Sequence, residues 1–157
     1  MHFNPLTKPL VHVVLDRPRI AGNIGAIVRL CAGTSAVLHV CGPLLFEQND
    51  RTKWRAGLDY FAGARVHFHH DVFRCLELLG KDPWIIEIGG TKAPWDMTFA
   101  QGDVVVFGPE TDSVRAELCE KYRERILTLP HAGPVRSLNL AQCAAVVVFD
   151  AMRQLTA

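Results

Sequence analysis

The sequence carries almost no excess charge of either sign. Seventeen Lys and Arg stand against sixteen Asp and Glu, leaving +1 at pH 7. That balance excludes a uniformly basic nucleic-acid coat but not a local basic patch. There is no C-x-x-C pair. The five cysteines (Cys31, Cys41, Cys75, Cys119, Cys143) are widely spaced, and an odd number without metal-like spacing reads as reduced, buried thiols of a cytosolic protein. No long hydrophobic run exists: the longest, from Ala144 to Phe149, is far too short to span a bilayer. The opening Met1-His2-Phe3-Asn4-Pro5 has no apolar stretch behind a basic head, so no signal peptide is expected. Neither G-x-G-x-x-G nor G-x-x-x-x-G-K-[ST] occurs, which weighs against dinucleotide and P-loop sites. No histidine or cysteine lies in a nucleophile elbow or an activating motif, which weighs against a hydrolase. Internal repeats and low-complexity linkers are missing too, so residues 1–157 are read as one domain.

What is present is an apolar chain, 49% hydrophobic and too apolar for disorder. Strands are expected at 11–15, 36–40, 65–68, 84–88, 104–107 and 126–129, where β-branched or apolar runs end at Gly, Pro or charged residues. Helices are expected behind Asn23 as N-cap, with Ile24, Ile27, Val28 and Cys31 in phase, and at 53–61, 71–79, 114–122 and 139–153. Asp71 caps the third of these and Gly80 stops it. The alternation predicts an α/β fold with a mostly parallel sheet flanked by helices. The last helix, with Leu140, Ala144, Val146, Val147, Val148, Phe149 and Ala151, has almost no polar face. Either a second subunit covers it, predicting a homodimer, or it is the central helix of a three-layer monomer.

Three segments follow predicted strands, and a parallel sheet places ligand-binding loops at the carboxyl ends of its strands. The first, Arg17-Pro18-Arg19-Ile20-Ala21-Gly22-Asn23-Ile24-Gly25, either permits a tight turn or approaches a phosphate. Arg29 behind it, in an otherwise apolar helix, is either paired and snorkelling or a phosphate-binding or catalytic group. In the second, Phe107-Gly108-Pro109-Glu110-Thr111, Gly108 admits a close ligand, and Glu110 either accepts hydrogen bonds from a ligand or starts the next helix. In the third, Pro130-His131-Ala132-Gly133-Pro134-Val135-Arg136-Ser137-Leu138-Asn139, Ser137 and Asn139 either cap the last helix or orient a substrate. Two other stretches bear weighing. His67-Phe68-His69-His70-Asp71 shows no second ligand cluster, so no metal is expected. Arg51-Thr52-Lys53-Trp54-Arg55 is either a solvated helix start or a basic, aromatic RNA contact.

Taken together, Asn-x-Gly-x-x-x-Arg, Phe-Gly-Pro-Glu and Pro-…-Ser-Leu-Asn-Leu resemble, in order, the three motifs of the SpoU branch of the SPOUT RNA methyltransferases. Further stretches, Arg29-Leu30-Cys31-Ala32, Arg55-Ala56-Gly57-Leu58-Asp59-Tyr60, His69-His70-Asp71 and Arg153-Gln154-Leu155, are similar to the minimal members of that branch. Those members methylate the ribose 2′-hydroxyl of the wobble nucleotide of certain tRNAs. The resemblance implies a SPOUT fold with a C-terminal trefoil knot, an obligate homodimer in the cytoplasm, no membrane partner, and no RNA-binding extension. It implies S-adenosylmethionine as cofactor, held around Ile88, Gly89, Gly108, Glu110, Leu129, Pro130, Ser137 and Leu138. It makes Arg29, Asn23, Ser137 and Asn139 the catalytic candidates, and Arg17, Arg19, Arg29, Lys53, Arg55 and Arg136 the candidates to contact tRNA. The substrate it implies is the wobble cytidine or modified uridine of leucine tRNAs. The alternatives are another tRNA or rRNA position, or an RNA-binding protein without transfer activity. Two departures stand out: Thr111-Asp112-Ser113-Val114 lacks the family's usual glycine-containing turn, and 131–136 is not acidic, which bears on tRNA choice.

Overall fold

Six parallel strands form one sheet in the order β3-β2-β1-β5-β4-β6 in the computed structural model, which describes residues 7–44 and 62–156. In chain order these are β1 (Val11–Asp16), α1 (Ala21–Thr34), β2 (Val37–Cys41), β3 (Arg65–His69), α2 (Val72–Leu79), β4 (Trp84–Ile86), β5 (Asp103–Phe107), α3 (Ala116–Lys121), β6 (Ile126–Leu127) and α4 (Leu140–Thr156). The helix expected at 53–61 lies outside the described residues.

Strand composition follows from burial on both faces. Val11, Val13, Leu15, Leu38, Val40, Val105 and Phe107 pack against α1 and α4. Val14, Cys41, Ile85, Val104 and Val106 pack with α2 and α3 on the other face. Continuous apolar runs of this kind are what a doubly covered parallel sheet requires. The architecture is therefore three-layered, but α4 is an outer helix. Leu140, Ala144, Val147, Val148 and Ala151 are buried, while Val146 and Phe149 remain 44% and 56% exposed. Of the two readings weighed, the central helix of a three-layer monomer gives way to an outer helix with one packed side and with Val146 and Phe149 bare.

Local signals set most helix ends. Asp71 accepts a hydrogen bond from the Phe73 N–H at 2.8 Å, and Gly80 closes α2 in the left-handed region at φ 63°. Asn23 is not the cap of α1, as its sequence position suggested. The helix starts three residues earlier than that cap implies, with Ile20 in the cap position and no side-chain cap bond. A carboxylate from elsewhere meets that end instead.

β1 is the topological switch: the chain runs outward through β2 and β3, then returns to the other side of β1 through β4, β5 and β6. Ligand sites in open α/β sheets form at such points, beyond the carboxyl ends of the strands. Two polar clusters lie among the apolar side chains on the α2 face of the sheet. Asp16, fully buried, is paired by Arg17 Nε and Arg115 Nε, both at 3.1 Å. On the α2 face, His39 lies between His12 and His69, at 2.9 Å from each. Burial first, and then the neighbouring His12, His69 and His67, push the His39 pKa down to about 3.

All five cysteines are free thiols. Cys31, Cys41 and Cys75 are buried as expected, whereas Cys119 and Cys143 are only partly covered.

Candidate functional site: a cleft at the carboxyl ends of β4, β5 and β6

The three strands on one flank of the sheet end in loops that lean on one another. β4 is three residues long and β6 only two, so their ladders cannot fix the loops, and side chains do so. Glu87 Oε2 accepts the Val114 N–H at 2.7 Å, joining the loop after β4 to the loop after β5. The Thr128 hydroxyl accepts the Gly90 N–H at 2.7 Å and donates to the Glu87 carbonyl at 2.6 Å, joining β6 to β4. The backbones approach so closely that a side chain is excluded at two points. A Cβ on Gly108 would lie 2.9 Å from Val114 N, and one on Gly90 would lie 2.7 Å from the Ile126 carbonyl oxygen. The turn at Thr111-Asp112-Ser113-Val114, which lacks a glycine, is closed by Asp112 Oδ1 accepting the Ser113 N–H at 2.9 Å and by Glu87 at Val114.

These loops enclose a cleft of about 460 Å³. Ile88, Gly108, Glu110, Leu129, Ser137 and Leu138 line it, six of the eight residues expected around a cofactor. Gly89, at φ +95°, and Pro130 are chain neighbours of lining residues. Ile88 and Leu138, 64% and 37% exposed, leave apolar faces bare at the cleft. Arg136 and His131 line it as well.

A chain of side-chain hydrogen bonds ties the three motif segments together at one rim. Glu110 Oε2 accepts the Arg19 N–H at 2.8 Å, while Oε1 accepts the Ile20 N–H at 3.1 Å and Asn23 Nδ2 at 2.9 Å. The carboxylate thus sits at the amino end of α1, where the helix dipole favours negative charge. Glu110 does not start the next helix; its carboxylate ties the second motif to the first, and it also lines the cleft. Asn23 Oδ1 in turn accepts Asn139 Nδ2 at 2.9 Å. Asn139 Oδ1 accepts the N–H groups of Ala141 and Gln142 at 2.9 and 3.2 Å, capping α4. Asn139 therefore caps α4, one of the two roles weighed for it, and its amide also fixes the rim through Asn23.

The charged candidates separate. Arg29 is exposed on α1, and Arg19 and Arg136 are exposed as well. Arg17 has its Nε committed to Asp16. Lys53 and Arg55 lie outside the described residues. Arg115, not among the candidates, bonds Asp16 and reaches Asp71 with Nη2 at 3.4 Å. Burial works against its charge, but Asp16 and then Asp71 and Glu117 outweigh that and raise its pKa. It locks the start of α2 and the approach to α3 onto the end of β1.

Sequence reading missed Glu87, Thr128 and the Asp16–Arg115 pair. The usable signal was an acidic residue at the end of an apolar strand: Asp16 behind Val11–Leu15, Glu87 behind Trp84–Ile86. Such a carboxylate is expensive to bury without partners, so its partners are structural by necessity.

The chain matches the SpoU rRNA Methylase family over residues 10–149. It is 42% identical over 151 residues to the tRNA (cytidine(34)-2′-O)-methyltransferase of Burkholderia cenocepacia (strain HI2424), covering 92% of this chain and 96% of that one. A solved structure described for 2-OH methylation of C/U34 on tRNA superposes with a TM-score of 0.84 at 34% identity, covering 93% of this chain and 96% of the other. The SpoU methyltransferase AviRb from Streptomyces viridochromogenes, in complex with AdoMet, shares the fold, with a TM-score of 0.79, 23% identity, and coverage of 96% of this chain and 62% of that one. The chain belongs to the SpoU methylase family and is a methyltransferase.

Proposed function

We propose that the chain transfers a methyl group from S-adenosylmethionine to the ribose 2′-hydroxyl of the wobble nucleotide, cytidine or modified uridine, of leucine tRNAs, acting as a cytoplasmic homodimer. The observation that carries this reading is the Glu110–Asn23–Asn139 chain, which gathers the three motif segments at the rim of one cleft. The naming of the relatives for C34 methylation supports the position. Family membership supports a C-terminal trefoil knot, against the general rule that chains are unknotted.

The cleft suits the donor. Its volume falls within the range of about 300–1,000 Å³ usual for small-molecule sites, and it offers both apolar walls and loop backbone. When bound, S-adenosylmethionine supplies a methyl group already activated on a sulfonium. Ile88, Leu129 and Leu138 offer apolar surface for a nucleoside ring, and Gly108 keeps the loop backbone open to it. Ser137 and Asn139 orient the acceptor nucleotide. Arg29 faces solvent from α1 and is the group to meet a tRNA phosphate and the reacting hydroxyl. A guanidinium offers N–H donors and no acceptor, so its role is to stabilise the developing alkoxide. Positioning supplies much of the remaining acceleration, at best on the order of 7–11 kcal/mol.

The bare face of α4 supports the dimer, since Val146 and Phe149 present exposed apolar surface beside the packed stripe. Phe149→Asp is expected to convert a dimer to a monomer by light scattering. A parent protein that is already monomeric would remove this part of the reading. Among the described residues no helix is long and apolar enough to cross a membrane.

Incubation of the purified protein with undermodified total tRNA and labelled S-adenosylmethionine, followed by digestion to nucleosides, tests the whole reading. Labelled 2′-O-methylcytidine, or the 2′-O-methyl form of a modified uridine, mapping to the wobble position of leucine tRNAs is expected. Label at another position corrects the substrate. Retained tRNA binding with no label makes the chain an RNA-binding protein without transfer activity.

A further inference from the structure

On the flank of the sheet opposite the cleft, side chains from three elements converge on one point. β2 supplies His39, the edge strand β3 supplies His69, and α2 lays Cys75 over the same face. One ligand atom from each lies within 4.8 Å of the others. His39 Nδ1 and His69 Nε2 are 2.9 Å apart. Zinc bonds of about 2.0–2.1 Å to nitrogen and about 2.3 Å to sulfur, opened at the tetrahedral angle, place ligand atoms roughly 3.3–3.6 Å apart. The three atoms therefore need to shift by no more than about an ångström to share an ion.

We propose that His39, His69 and Cys75 form a binding site for a borderline-soft divalent transition ion of the zinc class. Two imidazoles and a thiolate suit such an ion, and among these three groups there is no oxygen ligand to favour magnesium or calcium. Each buried ligand has an outer partner that fixes it, the arrangement expected around bound metals. His39 turns its other nitrogen, Nε2, to His12 Nδ1 at 2.9 Å, so Nε2 has an acceptor for its proton when Nδ1 exchanges its contact with His69 for the ion. Cys41 lies with Cys75 in the same buried cluster, and its thiol is the neighbouring donor for the thiolate once the ion has displaced the Cys75 proton to solvent. His39 and Cys75 are buried, whereas His69 is only half-buried at the sheet edge. The fourth position is thereby left for a water on the solvent side. The ion clamps the edge strand β3 to β2 and α2, and it takes no part in methyl transfer. No second ligand cluster stands near the 67–71 histidine run along the chain. The fold supplies two ligands, from 28 and more residues upstream and from the next helix.

A neutral histidine relay is the competing account. It uses the same two nitrogen–nitrogen contacts, with His69 donating to His39 and His39 to His12, but it has no need of Cys75. The test is a titration of the chelator-stripped, full-length protein with zinc chloride against a chromophoric chelator, with cobalt chloride as a spectroscopic probe. One zinc per chain is expected. Binding should weaken at least about tenfold in both His69→Gln and Cys75→Ala. The cobalt protein should show a near-ultraviolet thiolate charge-transfer band and ligand-field bands of tetrahedral intensity, the former lost in Cys75→Ala. Zinc should raise the melting temperature of the parent and not of His69→Gln. No zinc uptake at micromolar concentrations, equal binding by parent and variants, or a cobalt spectrum without the thiolate band in the parent would overturn the proposal. The last measurement needs no variant to fold.

Discussion

The two flanks of the sheet solve the same problem in different ways. On one side of β1, β2 and β3 are each five residues long and pair in full register from Val37↔Arg65 to Cys41↔His69. Their ladder fixes their ends, and the polar groups they carry meet one another on the α2 face. On the other side, β4 and β6 have three and two residues. Their loops, and the loop after β5 beside them, are instead fixed by side chains bonding to distant backbone: Glu87 to Val114, Thr128 to Gly90, Glu110 to Arg19 and Ile20. Where strand pairing is short, individual carboxylates and hydroxyls take over the positioning. That flank also carries the cleft. Substitutions at the cleft and its rim should act on turnover and donor affinity first, whereas those on β2, β3 and α2 should act on stability alone.

Arg29→Ala gives the largest expected effect and the sharpest separation. Methyl transfer should fall by at least about 10²-fold, the scale of losing one group that stabilises a developing oxyanion, while calorimetric affinity for S-adenosylmethionine changes less than twofold. Parental turnover would remove Arg29 from the reaction. Gly108→Ala comes next. Its Cβ would lie 2.9 Å from both the Val114 nitrogen and Cγ2, so a strained loop should cost about 1–3 kcal/mol in denaturant unfolding and raise the donor Kd at least tenfold. Asn139→Ala should cost about 0.5–2 kcal/mol as a lost helix cap and lower kcat more than it raises the donor Kd, because the rim contact to Asn23 goes with it. The smallest effect belongs to the opposite flank. The Arg74–Glu77 pair on α2 is 2.9 Å long but two-thirds exposed on each side, so Arg74→Ala should leave transfer unchanged and stability within about 0.5 kcal/mol. A turnover defect in Arg74→Ala would break the contrast between the flanks.

Much of this was legible in the residues. The strands show as β-branched runs punctuated by Pro, Gly and charge, and α2 announces both its ends through Asp71 and Gly80. The three motif segments were visible as loops behind strands, and six of the eight cofactor candidates do line one cleft. What was not legible depends on contacts distant in sequence. Asn23 looks like an N-cap because its residue type fits. The amino end of α1 is met instead by Glu110, 90 residues beyond Ile20, which leaves the Asn23 side chain to bridge Glu110 and Asn139. Periodicity carries no sheet order, so the placement of β5 beside β1, and with it the meeting of the first and second motifs, could not be read. The same holds for His39 and Cys75, which look like ordinary core residues until β2, β3 and α2 are stacked.

The account rests on the donor lying in the cleft at the ends of β4, β5 and β6, next to the rim that joins the three motifs. A crystal structure with S-adenosylhomocysteine tests it most directly. The account predicts the ligand between Gly108, Leu129 and Leu138, with its sulfur turned toward the side of the cleft where Asn139 and α1 lie. Clear density for the ligand at any other surface, with that cleft left to solvent, would contradict it.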